Sequence, residues 1–122
     1  MVCLLLFKQS FAQEAELIRF CEENRFNPTE FSQKLTGKKA NTPTMRILKV
    51  YEKSLNGNYK GFIHDASMLH SIKNQSINNA FILHLKQLEE CEYSLLNGEF
   101  YAAKKGLEQA VSFARKKHEN QW

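Results

Sequence analysis

The stretch "NGEFYAAKKGLEQAV" at residues 97–111 repeats the outline of an earlier stretch, "NGNYKGFIHDASML" at residues 56–69. Both begin with Asn-Gly, both place an aromatic residue two positions after the glycine, and both continue with apolar residues at helical spacing. A glycine at such a place is typical of a helix end, because glycine adopts the left-handed backbone conformation without steric cost. Each stretch therefore predicts a tight turn that joins two helices.

A shift of 41 residues aligns the two stretches and also the helices that precede them. A set of aligned positions keeps either its apolar character or its turn residue. The pairs are Ile47 with Leu88, Val50 with Cys91, Leu55 with Leu96, Tyr59 with Phe100, Phe62 with Ala103, Ala66 with Leu107, and Leu69 with Ala110. This pattern is typical of a helix–turn–helix unit used twice, at about residues 43–73 and 77–118, in which each unit leaves an apolar face for a neighbour to cover.

The composition favours one all-α domain over residues 1–122. The chain is 43% hydrophobic and 25% charged, and it contains only two prolines, so long segments are free of helix breakers. Asn27-Pro28, Thr42-Pro43 and Ser76 are candidate helix starts. The predicted helices cover about residues 2–24, 28–35, 43–56, 59–73, 77–97 and 99–118.

Apolar stripes on these helices predict the core. The fourth helix is expected to bury Phe62, Ile63, Ala66 and Leu69. The long helix that follows has Leu95 at the end of its stripe, and the last helix carries a stripe of Phe100, Ala103, Leu107, Ala110 and Ala114, with Val111 beside it.

The second copy resembles a tetratricopeptide repeat. The matching residues are Gly98-Glu99-Phe100, Ala103, Leu107 and Ala110, whereas the first copy has Phe62 where the family has alanine. The resemblance implies antiparallel helix pairs in a right-handed stack; a compact helical bundle is the alternative. It also implies a groove lined by the first helix of each pair, with the partner-binding residues Leu48, Glu52, Lys86, Glu89, Tyr93 and Asn97. Tyr93 is the expected anchor.

A narrower resemblance concerns the phrases "LNGNY" at residues 55–59 and "CEYSLLNG" at residues 91–98. They are similar to repeat junctions of small tetratricopeptide-like chaperones of type III secretion needle subunits. That resemblance implies a groove that holds an amphipathic helix of an aggregation-prone client. The leading hypothesis is a non-enzymatic adaptor or chaperone that binds a segment of another protein.

A basic segment supports a second hypothesis. Residues 33–60 contain seven Lys or Arg residues against one acidic residue. A patch formed by Lys38, Lys39, Arg46, Lys49 and Lys53 is suited to phosphate contacts, or to the acidic flank of a protein partner. Nucleic-acid binding is therefore the alternative function, and a homo-oligomer closed by leftover apolar faces is a third possibility.

Chemical sites are not expected. The four histidines and the three cysteines lack the spacing of a metal site, and Glu89, Glu90 and Glu92 have no accompanying nucleophile or phosphate-binding loop. We expect no catalytic residue, no metal and no cofactor, with the cysteines buried in a reducing compartment. The apolar run at residues 2–7 is too short for a signal peptide or a membrane span, which predicts a soluble cytoplasmic protein without a membrane partner.

Overall fold

The computed structural model describes residues 14–119, and within them the secondary structure is helical, which confirms the all-α prediction. The helices are α1 (helical over residues 14–23), α2 (Pro28–Leu35), α3 (Pro43–Leu55), α4 (Tyr59–Ala66), α5 (Ala80–Leu96) and α6 (Phe100–Glu119). Two short 3₁₀ helices, Leu69–Ser71 and Asn74–Ser76, lie between α4 and α5. The predicted start of the first helix at residue 2, and Cys3, lie outside the described residues.

The chain divides into two compact units, residues 1–38 and residues 39–122. In the first unit, the predicted cap of α2 is confirmed, because the Asn27 side chain accepts a hydrogen bond from the backbone N–H of Glu30 at 3.3 Å. Cys21 is buried, and this burial raises the pKa of its thiol to about 12, although the charge of Lys34 acts in the opposite direction. Lys34 also lies over the ring of Phe20, 5.1 Å from its centre.

The second unit contains two antiparallel pairs of helices. We call α3 with α4 the first hairpin and α5 with α6 the second hairpin. Helix α5 packs against both α3 and α4, and α6 packs on α5. Three of these helices are capped at their N-termini by a side-chain oxygen that accepts a backbone N–H hydrogen bond. The capping residues are Thr42 for α3, Asn58 for α4 and Asn79 for α5.

Two predicted boundaries in this unit are wrong. Helix α4 ends at Ala66 rather than near residue 73, and α5 begins at Ala80 rather than after Ser76. The hydroxyls of Ser67 and Ser71 each donate to a carbonyl three residues earlier, at 2.7 Å in both cases. Such local bonds compete with helical hydrogen bonding, so the chain continues in short 3₁₀ helices instead of extending α4. Leu69 is nevertheless buried, as predicted.

The turns of the two hairpins have the same backbone geometry. Gly57 and Gly98 have φ angles of 70° and 77°. In the first turn the N–H of Asn58 donates to the carbonyl of Lys53 at 2.9 Å, and in the second the N–H of Glu99 donates to Ser94 at 2.8 Å. Both glycine N–H groups also donate to the carbonyl three residues earlier, at 3.2 and 3.1 Å. Each turn is therefore a Schellman motif, in which glycine supplies the left-handed conformation.

Burial follows the 41-residue shift over much of the two hairpins. Val50 and Cys91 are both buried, as are Phe62 and Ala103, while Tyr59 is exposed like its counterpart, Phe100. The shift also pairs buried residues that differ in polarity. These pairs are Met45 with Lys86 and Leu48 with Glu89. The corresponding helices therefore present corresponding faces to the protein interior.

Close packing holds the second hairpin together. Ala103 and Ala110 of α6 are buried, and Gly106 lies directly against the Sγ atom of Cys91 in α5. The rings of His84 and Phe113 stack with centres 5.3 Å apart. The absence of a side chain at Gly106 and the small alanines let α6 approach α5 closely.

Candidate protein-binding site

An open apolar surface lies along α6. It is a groove of about 620 Å³. Its apolar floor is formed by Leu95, Phe100, Leu107 and Val111, and its charged rim by Lys104, Glu108 and Arg115. We call these residues the α6 groove. All four floor residues are exposed to solvent, Phe100 by 68%. Contiguous exposed apolar surface of this kind is typical of a site that binds another molecule.

Helical geometry explains how α6 builds this groove beside its packed face. Phe100, Leu107 and Val111 lie within about 40° of arc on an α-helix. Ala103 and Ala110, which are buried, lie about 40–60° to one side of Leu107. The prediction that Phe100 and Leu107 share a covered stripe with these alanines is therefore wrong. The apolar face of α6 therefore has a buried half, with Ala103 and Ala110, and an exposed half, with Phe100, Leu107 and Val111.

In the first hairpin, part of the corresponding surface is covered. The 41-residue shift makes Ser54 the counterpart of Leu95 and Ala66 the counterpart of Leu107. Ala66 is only 3% exposed, whereas Leu107 is 38% exposed. The hydroxyl of Ser54 donates to Oε2 of Glu92 at 2.7 Å, so α5 reaches the edge of the first hairpin at this position. Helix α5 also packs on both α3 and α4, whereas Tyr59, the counterpart of Phe100, is exposed, so α5 covers only part of the surface that corresponds to the α6 groove.

The structure places the predicted partner-binding residues differently from one another. Leu48, Lys86 and Glu89 are buried, so their expected role as accessible groove contacts is wrong: their side chains have almost no surface to offer a ligand. Glu52 and Tyr93 are half-buried, and Asn97 is exposed at the end of α5. The expected contacts of these last three with a partner stay predictions.

Two carboxyl groups of α5, those of Glu89 and Glu92, form a pair. Burial raises the pKa of Glu89 to about 9, and the nearby carboxylate of Glu92 raises it further by repulsion and by a hydrogen bond. Glu89 is therefore protonated at neutral pH. Glu92 is held by the hydroxyl of Ser54. Through Glu92, the pair connects α5 to Ser54 of α3 by a part-buried hydrogen bond.

The positive charge of Lys86 is neutralised by Glu90 of the same helix, α5. Its ammonium group donates to the Asn74 side chain at 2.9 Å and lies 2.9 Å from a carboxylate oxygen of Glu90. A buried ammonium needs such partners, since an unpaired charge would lose its hydration without compensation. This pairing explains how a lysine is accommodated at the position that corresponds to the buried Met45.

The predicted basic patch is only partly available for a ligand. Lys53 of α3 forms an ion pair with Asp65 of α4. Burial alone would raise the pKa of Asp65, but hydrogen bonds from His64 and Lys53 hold it below its usual value. Arg46 and Lys49 line a small cavity of about 150 Å³ with this carboxylate. Lys38 and Lys39 are exposed.

Sequence reasoning missed Asp65 as a partner of the basic patch and missed the open position of Leu107. One signal for the groove was present in the alignment. The small residues Ser54 and Ala66 of the first hairpin correspond to Leu95 and Leu107 of the second. The second hairpin therefore carries larger apolar side chains at these two positions. The pairing of Lys53 with Asp65 had no such signal, because the two residues come together only when α3 packs on α4.

Two other kinds of site are absent from the described residues. No group of three His, Cys, Asp or Glu side chains in residues 14–119 is arranged to hold a metal ion. Within the same range, no helix has the length and apolar character needed to cross a membrane.

Comparison with known proteins gives no relative for this chain. No family model, no curated protein and no solved structure matches it.

Proposed function

We propose that this protein is a non-enzymatic adaptor or chaperone that binds a helical segment of another protein in the α6 groove. The observation that carries the proposal is the correspondence between two positions. Leu95 and Leu107 are open in the second hairpin, whereas their counterparts in the first hairpin lie where α5 packs. A helix laid in an apolar groove is a common mode of protein recognition.

A tetratricopeptide-like architecture is part of this proposal. Three observations support it: the repeated Schellman turn at Gly57 and Gly98, the packing of α5 against both helices of the first hairpin, and the repeat-like residues from Gly98 to Ala110. In a helical repeat each hairpin covers part of its neighbour, and a hairpin face without a neighbour stays open. The α6 groove is such a face. Because Cys21 and Cys91 are free thiols in the interior, we also propose the reducing cytoplasm as the location.

Site-specific photocrosslinking in living cells tests the proposal. A photoreactive phenylalanine at position 107 should capture a discrete protein partner. The matched control is the same amino acid at position 63, because Ile63 of α4 is 40% exposed and Leu107 is 38% exposed. Ile63 was predicted to be buried and is instead an exposed residue outside the groove. Equal capture at both positions, or no capture at position 107, would contradict the proposal.

The alternative function, nucleic-acid binding through the basic segment, has one favourable observation: Arg46 and Lys49 border the same cavity. It requires steep salt dependence of DNA binding that is lost when these two residues are changed to Glu. A partner captured at position 107 and retained at high salt would favour the adaptor instead.

A further inference from the structure

The partner that fits the α6 groove can be described from the helix that packs on the corresponding part of the first hairpin. That helix is α5, whose charged side chains at neutral pH are Glu90 and Glu92 against Lys86, because Glu89 is protonated. The helix that it covers, α3, is basic, with Arg46, Lys49 and Lys53 against Glu52. The carboxylate of Glu92 contacts α3 at Ser54, while Lys53 pairs with Asp65 of α4, and Arg46 and Lys49 border a cavity with the Asp65 carboxylate.

The face that α5 turns toward the first hairpin has a simple pattern. Glu92 marks this face, because it accepts the hydrogen bond from Ser54. Phe81, Leu85 and Leu88 lie within about 40° of Glu92 around the helix. Helix α5 is thus an amphipathic helix with large apolar residues at intervals of three and four and a carboxylate one turn further on.

The electrostatics of α6 repeat those of α3. Residues 100–116 contain Lys104, Lys105, Arg115 and Lys116 against the single acid Glu108. Lys104 and Arg115 border the groove together with Glu108, so two cations and one carboxylate line it. Carboxylates along the flank of a docked helix would meet these two cations, and such complementarity directs partner choice and association rate.

A second copy of this chain is a poorer occupant. If two α6 grooves faced each other, each would bring the same excess of positive charge to the contact. Like charges at an interface are unfavourable, and here they would surround the apolar floor on both sides. The charge of α6 thus favours an acidic partner over self-association.

We infer, as a consequence that rests on the proposed function, that the natural occupant of the α6 groove is an acidic amphipathic helix with the apolar spacing of α5. Leu95, Leu107 and Val111 contact its apolar residues, and Lys104 and Arg115 contact carboxylates on its flank. The partner is recognised jointly by apolar spacing and by negative charge.

Three synthetic peptides with the sequence of Ala80–Leu96 provide the probe. Position 91 is changed to Ser, and a lactam bridge between positions 83 and 87, away from the apolar face, holds the 17 residues in a helix, since short isolated helices are marginal in water. The three peptides carry Glu, Gln or Lys at positions 89, 90 and 92. Binding of each to the whole protein is measured by fluorescence anisotropy at low and at physiological ionic strength.

The acidic peptide should bind about tenfold more tightly than the basic peptide at low ionic strength, with a smaller difference when salt is added. Leu107→Glu should abolish binding, whereas Ile63→Glu should leave it unchanged. The double variant Lys104→Glu/Arg115→Glu should reverse the preference. Circular dichroism checks that each variant is folded.

Other outcomes separate the inference from the function on which it rests. Equal binding of all three peptides that still depends on Leu107 would overturn the acidic partner and keep the protein-binding groove. Binding that survives Leu107→Glu would overturn both. If no peptide binds, the α5-like occupant is excluded, and crosslinking at position 107 decides the function alone. Dimerisation that is lost in Leu107→Glu would make a second copy the occupant and overturn the inference.

Discussion

Gly106 of α6 lies so close to Cys91 of α5 that a Cβ atom at position 106 would stand 2.4 Å from Sγ. This distance is far inside the van der Waals contact of carbon and sulfur, so a side chain at 106 requires either the Cys91 side chain or the two helices to shift. Helix α6 carries the proposed binding surface. Its position on α5 therefore depends on the absence of one methyl group.

We expect Gly106→Ala to lower the free energy of unfolding by about 1–3 kcal/mol, as overpacked substitutions do. Without the contact, alanine would stabilise the helix by about 1 kcal/mol relative to glycine. In a Cys91→Ala background the sign should therefore reverse, and alanine at 106 should stabilise. A double-mutant cycle by urea unfolding measures this coupling. Additive effects of the two substitutions would contradict the predicted contact.

Gly57 and Gly98 should respond alike to substitution. Both have positive φ, and a Cβ atom added at either position would have nothing within 4 Å, so alanine there encounters only backbone strain. We expect Gly57→Ala and Gly98→Ala each to cost about 1 kcal/mol in unfolding free energy, and Asn to cost less because it tolerates the left-handed region. Thermal and urea unfolding of the four variants measure these costs. Strongly unequal losses for the two alanine variants would show that the turns are not energetically equivalent.

The buried Glu89 predicts a loss of stability as the pH rises from about 4.5 to about 9. Its pKa is about 9 in the folded protein, above the ordinary value of 4.5, so the folded state retains a proton that the unfolded chain releases. The stabilising contribution is complete below about pH 4.5 and is lost as the pH rises to 9, with a slope of at most about 1.4 kcal/mol per pH unit. Glu89→Gln keeps the shape of the protonated side chain and should flatten this decline.

Urea unfolding from pH 5 to pH 9 tests this expectation. Glu90→Gln is the control on the same helix, because Glu90 lies beside the ammonium of Lys86 rather than beside another carboxylate. A decline of equal steepness in wild type and Glu89→Gln would mean that Glu89 is ionised in the folded protein.

The pairing of Lys53 with Asp65 predicts unequal contributions within the basic segment. Because Asp65 neutralises Lys53, we expect Lys53→Gln to shift elution from heparin less than Arg46→Gln or Lys49→Gln does. Asp65→Asn should delay elution of an otherwise wild-type protein, since it frees the ammonium of Lys53. Equal shifts for the three basic residues would contradict this assignment and would strengthen the alternative of nucleic-acid binding.

The local elements of the fold were predictable because they depend on neighbouring residues in the chain. Asn27 and Thr42 cap helices as predicted, and Gly57 and Gly98 form the expected turns. The end of α4 was not predictable from apolar spacing, because Leu69 is buried whether or not the helix continues. At that point the hydrogen bonds of Ser67 and Ser71 to nearby carbonyls favour a 3₁₀ conformation over a longer α-helix.

The amino-acid sequence alone was enough to establish that the chain is helical, where two similar turns lie, and which residues share a helix face. These properties follow from capping, from glycine at positive φ and from the helical period. Helix packing, which the sequence does not reveal, buries Leu48 and Glu89, leaves Leu107 open, and brings Lys53 to Asp65. Periodicity identifies the residues on one face, but whether a neighbouring helix covers that face depends on how the helices pack.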